Sequence, residues 1–545
     1  MTNWKLRELR DGRRRSFLKM CTVAAAAVGV SRTRLLDFLA DEGGYGLAEA
    51  AGATYGRSLV VPCPNGVFAW FQELWPHVDV AMRACENVVI PAFVNISNDA
   101  PNLVNPTLNP SFGFASSYLY TTQYGYTPAN GYRGTYTPGK GVAMPPLPSG
   151  VKGWAGGYRP FFYGPDAPWF DHQAGVPKRP VTALMAGSDE THTVFPSSAT
   201  TVSGTSTLLA SLASLGASSS AAAVPAIGID PVKYGRAPGA PDIATVPSAN
   251  GMIDLFNSAA SQLTLASKAD QEIFEDYFKA VIALRKSASR TSWAPQLAVT
   301  KNAARIIGLN FAAQLTPTAQ DLVAYGIQEL VDSSLASSTY LQPKQRERLE
   351  EFGRVLIVVA KAFALGLSKT AVVSLSPGPT SDQDFTDPHA VFSSPATLIM
   401  GRNTTRHLGK ILDAFYEHLA QFNDPEDPNQ KLDQTTSFIA FGDTPHTPFL
   451  GRGWPDPTPN SSNWLYLMNP KGLVQNGWFG QCVTTPVQGR RGLAYDPLTG
   501  KDTTQDTILV TKFSTTAAVY AVAGGDTNKT AEFGTAASAL PALLT

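Results

Sequence analysis

The chain has 545 residues, balances 43 Lys or Arg against 43 Asp or Glu, and is 43% apolar, so it can bury a large core but lacks the basic surplus of a nucleic-acid binder. Four cysteines exclude a disulfide framework as the main source of stability. The long apolar run from Val355 to Leu367 is broken by Lys361 and continues a helical pattern rather than spanning a bilayer.

Taken in order, residues 1–50 read as a twin-arginine export signal: Arg14, Arg15, Ser16, Phe17, Leu18 and Lys19 stand directly before the apolar run Met20 to Val30. That run is short for a membrane span, and Ala48, Glu49 and Ala50 offer a small-residue cleavage pattern, with retention as an uncleaved anchor the alternative. The twin-arginine translocation machinery is therefore an expected partner during export, and the expected location is periplasmic or extracellular. The remaining chain, 51–545, holds 34 Lys or Arg against 37 Asp or Glu, which again gives no reason to expect nucleic acid. Of Cys63, Cys85 and Cys482 at most two can form one internal bridge, and Cys63 with Cys85 is the expected pair.

Arg57 to Pro62 is a short apolar run closed by turn residues, which predicts a buried first strand. Residues 111–186 are crowded with Tyr, Gly and Pro and predict an irregular insertion, read either as packing over a sheet edge or as an aromatic platform for an envelope polymer or protein. After a Ser, Thr and Ala-rich stretch, Val224 to Asp230 predicts another buried strand, and 250–340 a helical elaboration. Leu349, Phe352, Leu356, Val359 and Phe363 mark one helix face, and Leu408, Ile411, Leu412, Phe415, Leu419 and Phe422 another. Each precedes a β-rich run, Thr370 to Leu375 and Thr436 to Phe441. Helix, strand, helix, strand is the pattern of a parallel sheet covered on both faces, whose chemistry gathers at the carboxyl ends of the strands.

Asp384, Asp387 and His389 follow the first of those strands, and Asp443, Thr444 and His446 the second. Carboxylates and imidazoles from two neighbouring loops suit Zn²⁺ or another divalent metal, which would lower the pKa of a bound water and neutralise a leaving oxyanion. His192 is a third contributor from a distant loop. Each loop also has a plain structural explanation, since Asp387 precedes Pro388 and Asp443 precedes Thr444 and Pro445, as turn-forming residues do. His407 and His418 share a helix and are read as face residues rather than ligands, while His77 and His172 carry no supporting pattern. No G-x-S-x-G elbow and no glycine-rich nucleotide loop follows a strand, which argues against a serine hydrolase and against nucleotide cofactors.

Several segments occur in a recognisable order: the leader, V-P-A-I-G-I-D from Val224, D-P-H from Asp387, I-L-D-A-F-Y-E-H-L from Ile411, F-I-A-F-G-D-T-P from Phe438, G-L-V-Q-N-G-W-F-G-Q from Gly472 and T-K-F-S-T-T-A-A-V-Y-A-V from Thr511. From about Pro180 onward the chain resembles a family of twin-arginine-exported bacterial proteins of unknown function related to alkaline phosphatases and sulfatases. The resemblance implies an alkaline-phosphatase-like three-layer α/β sandwich over 51–545 with a mainly parallel sheet. It places Asp387 and His389 on the family's G-W-D-T-H loop, and Thr191 and His192 on its S-H-F motif.

The chain departs from the family where S-E-F-G-R-T-P is expected: Ala440 stands for the acid and Asp443 for the arginine. Ser462, Asn463 and Trp464 occupy the neighbourhood of the D-H-G motif, and the glycine-and-aspartate loop after the first strand reads Pro62, Cys63, Pro64, Asn65, Gly66. Losing several ligands from one site is rarely rescued by neighbours, so a degenerate, inactive metal site is expected. An active phosphate or sulfate ester hydrolase is the first alternative, with His192, Asp387, His389 and Asp443 on the metal, Thr444 as candidate nucleophile and His446 as proton shuttle. An envelope binding or structural protein using the aromatic insertion is the second.

Overall fold

A computed structural model describes residues 56–62, 93–95, 158–160, 170–171, 176–177, 179, 181–186, 201–203, 206–219, 222, 224–229, 234–261, 311–331, 341, 343–375, 395–441, 463–468, 477–479, 481–485, 489–497, 499–503, 508–524, 530 and 532–533. Its centre is an eight-stranded sheet built from β1 (Arg57–Pro62), β2 (Thr182–Ala186), β3 (Ala226–Ile229), β4 (Ala244–Val246), β5 (Thr370–Val373), β6 (Thr436–Phe441), β7 (Asn463–Met468) and β8 (Gly477–Phe479). The strand order is β4-β3-β5-β1-β6-β7-β2-β8. Every pairing is parallel except the two made by β7, which runs against both β6 and β2, so the other seven strands share one direction. The expected mainly parallel α/β sheet is therefore present. β1 lies at its middle, with all six residues buried, as a near-continuous apolar strand should in a sheet covered on both faces.

Successive residues of a strand point to opposite faces, and each face has its own helical layer. Val60, Val372, Ile439, Phe441, Leu184, Leu465 and Leu467 join α1 (Leu208–Ser219) and α9 (Ile508–Val522) in one buried cluster. Leu59, Val61, Ala371, Val373, Phe438, Ala440 and Tyr466 are equally buried on the alternate register. On that side lie α6 (Pro343–Ala364) and α7 (Pro395–Leu419), and the Tyr416 hydroxyl donates to the carbonyl of Thr436, which follows the short α8 (Leu432–Thr435) at the foot of β6. α2 (Ala249–Ser261) and the short helices α3 (Phe311–Leu315), α4 (Ala319–Ala324) and α5 (Ile327–Val331) pack outside α6.

Both long helices follow the apolar spacing read from the sequence, and Leu349, Phe352, Leu356, Val359, Phe363, Leu408, Ile411, Leu412, Phe415 and Leu419 are all buried. Burial of side chains of this size contributes about 1.5–3 kcal/mol each. Gly353 lets the neighbours close in, because a Cβ there would lie 2.8 Å from Ile327 Cδ1 and 3.4 Å from Ile411 Cδ1. At its end α6 turns through Gly366, with φ of 68°; the Leu367 N–H donates to Ala362 and the Gly366 N–H to Phe363. Those two bonds satisfy the last carbonyls of the helix and direct the chain into β5.

The foot of the sheet, where the parallel strands begin, holds a buried charge network. Arg57 ion-pairs with Asp424, and Lys369, the residue before β5, with Glu426. Burial alone would raise the Asp424 carboxyl, but Arg57 and the hydrogen bonds around it hold it below its ordinary value. Burial pushes the Lys369 ammonium down, and Glu426 restores it only in part.

After β8 the chain forms a small antiparallel sheet of β9 (Gln481–Thr485), β10 (Gly489–Asp496) and β11 (Lys501–Thr503), tied to the main core by Tyr495 against Phe479. Thr182–Ala186, the last residues of the Tyr-rich range 111–186, form β2 and belong to the main sheet. No described helix is long and apolar enough to cross a membrane.

Candidate functional site

The strands that precede the sequence-predicted site residues end at the carboxyl rim of the sheet. β5 and β6 flank β1 and run parallel to it, with Val60 level with Val372 on one side and with Ile439 on the other. The chain leaving β5 stays zipped to β1, because the Leu375 N–H donates to the Pro62 carbonyl at 3.2 Å. On the opposite side Phe441 is in register with Pro62. Leu375 and Phe441, the last described residues before Asp387 and His389 and before Asp443, Thr444 and His446, therefore lie at one rim, on either side of Pro62. With neighbouring strands about 4.8 Å apart, the two positions are about 10 Å from each other.

Three further segments meet this rim. β2 runs with β1, so the chain that continues to His192 leaves from the same edge. β7 runs the other way and begins at Asn463, paired with Ala186, so Phe441 at the end of β6 and Asn463 at the start of β7 both lie at the carboxyl rim. β3 ends there as well, at Ile229. In open α/β sheets this edge is where ligands bind.

His192, Asp387, His389, Asp443, Thr444 and His446 all lie outside the described residues, as do Asp384, Thr191, His77, His172, Cys63 and Cys85. What the described residues do place is Ala440. Ala440 is fully buried in β6, in register with Val61 of β1 and Tyr466 of β7, so its methyl group shares one covered face with an aliphatic and an aromatic side chain. That surrounding is built for packing, whereas an ionised carboxylate needs a cation or several donors when taken out of water. Asn463 is the first residue of β7, at the rim.

His407 and His418 are both buried on α7. His418 Nδ1 shares a hydrogen bond of 3.1 Å with the Tyr325 hydroxyl, and burial pushes its pKa down. Among the described residues no group of three or more His, Cys, Asp or Glu is placed to hold a metal ion. Compared with known proteins, the chain matches no family model, and no curated protein or solved structure is similar to it.

Proposed function

We propose that this protein is exported by the twin-arginine route and carries an alkaline-phosphatase-like or sulfatase-like scaffold whose carboxyl-rim metal site has degenerated and no longer turns over esters. The observation that carries this reading is Ala440: where the related families place an acid, this chain has a fully buried methyl group between Val61 and Tyr466. The donor set that remains, Asp387, His389, Asp443 and His192, is of the type Zn²⁺ accepts but lacks that acid. Arg14 and Arg15 before the apolar run support export.

The common rim favours a second reading, an active phosphate or sulfate ester hydrolase. There Asp387, His389, His192 and Asp443 would hold a divalent ion that acidifies water and neutralises a leaving oxyanion, with Thr444 as nucleophile and His446 moving the proton. Metal analysis after equilibration with Zn²⁺ or Mg²⁺, beside assays with an aryl phosphate and an aryl sulfate, separates the two. The degenerate site predicts no stoichiometric metal, no thermal shift on adding Zn²⁺ and no turnover. One bound metal per chain, with turnover that His389→Ala abolishes, would replace the first reading by the second.

A further inference from the structure

We propose that His418 is an acid-operated latch on the helical strap formed by residues 311–331. The strap packs on the outside of α6 and α7. Phe311, Leu315, Tyr325, Ile327 and Leu330 are buried, while α4 buries none of its residues and leaves Val323 exposed. Lys361 of α6 donates to the carbonyl of Thr316 at 2.8 Å and to Asp321 at 2.7 Å, and Lys410 of α7 reaches Glu329 on the surface. A further polar tie joins Tyr325 and His418 and is buried at both ends, with the rings edge-on at 5.9 Å.

A neutral imidazole fits this site in a way that imidazolium does not. As an acceptor, Nδ1 receives the hydrogen bond that the Tyr325 hydroxyl donates and satisfies a phenol that is almost completely out of water. Once protonated, Nδ1 can only donate, and among the described residues the Tyr325 hydroxyl proton has no other hydrogen-bond acceptor. An unpaired polar group and a charge are then buried together, and both are costly.

The surroundings do not rescue the charge. Facing His418 are Asp321 of α4 and Lys361 of α6, together with the Tyr325 hydroxyl and, from the tail after α7, the Phe422 ring at 5.3 Å. Asp321 and Lys361 are paired to each other, so their effects on the imidazole oppose one another, and burial decides the direction, which is downward. The folded strap therefore holds His418 neutral. Its contribution is present above the ordinary histidine pKa near 6.5 and is lost as pH falls through the depressed folded value. Loosening falls first on the strap, because the sheet beneath is held by much more extensive burial.

Hydrogen exchange of the full chain at pH 7.5 and 5.5, corrected for intrinsic rates, tests this directly. Opening of 319–331 should rise on acidification by up to about tenfold, the limit set by an unfolded value near 6.5. Residues 436–441 in the sheet should change far less. His418→Gln keeps an acceptor for Tyr325 but cannot titrate, and its strap should show no acid response. Equal responses of strap and sheet in the natural chain overturn the latch, and that comparison decides the matter even if the variant fails to fold. A response that persists undiminished in His418→Gln overturns it as well.

Discussion

Arg57 Nη1 lies 2.7 Å from Asp424 Oδ2, and the two side chains are 1% and 2% exposed, so the first residue of the central strand is tied to the segment that leads into its neighbour β6. A charge pair so deeply buried is strongly asymmetric in its energetics: keeping both partners is tolerable, whereas losing one strands the other in a dry interior.

Asp424→Ala should lower the unfolding free energy by about 3–5 kcal/mol, measured by urea titration, and Arg57→Met with Asp424→Leu should recover most of that loss. The pH dependence follows from the depressed Asp424 carboxyl. Its stabilisation is present above the unfolded value near 3.9 and disappears as pH falls through the lower folded value. Acid titration of the Asp424→Ala variant should accordingly show a shallower loss of stability below pH 4 than the natural chain. Parallel curves would mean that the pair does not govern the acid limb.

Gly366 occupies the left-handed region at the end of α6. Gly366→Ala should cost about 1–2 kcal/mol in thermal or chemical unfolding, and Gly366→Asn noticeably less, since Asn visits that region more readily. Equal costs would show that the backbone angle is not the source.

A Cβ at Gly353 would press on Ile327, so Gly353→Val should destabilise the chain by about 1–3 kcal/mol through overpacking. Pairing it with Ile327→Val, which removes the methyl group nearest the intrusion, should restore part of the loss in a double-mutant cycle. Strict additivity would place the strain elsewhere.

Replacing Arg14 and Arg15 by lysine should hold the protein in the cytoplasm at full length, read by fractionation and mass of the N-terminus. Undiminished export of that variant would remove the twin-arginine assignment, and with it the compartment in which the rim is proposed to act.

Much of the sheet is legible locally. Arg57–Pro62, Ala226–Ile229, Thr370–Val373 and Thr436–Phe441 are brief apolar runs closed by turn residues, and α6 and α7 carry their apolar faces in plain helical spacing. Other elements are hidden for physical reasons. α1 sits in a stretch whose serines and alanines mask the spacing of Leu208, Leu212 and Leu215. α9 is rich in β-branched residues and covered by its neighbours, so neither propensity nor an amphipathic stripe announces a helix. The reversal at β7 is a matter of pairing between distant segments and leaves no local trace in N-W-L-Y-L-M.

For the candidate site, the alternation of helix and strand was sufficient to read the two strands that precede the acid-and-imidazole segments as parallel, and both do run parallel to β1, one on each side of it; the segments themselves lie outside the described residues. The burial of His418 was not legible, because it depends on Tyr325, which is 93 residues away in the chain.

The placement of β1 between β5 and β6 has a consequence for biosynthesis. Ser58 bonds to Thr370 across 312 residues, and the other neighbour of β1 ends only at Phe441. The middle of the sheet cannot close while the ribosome is still producing the intervening chain, so its fully buried central strand waits for both neighbours through most of translation. Late, post-translational closure of the sheet is built into such an order of segments.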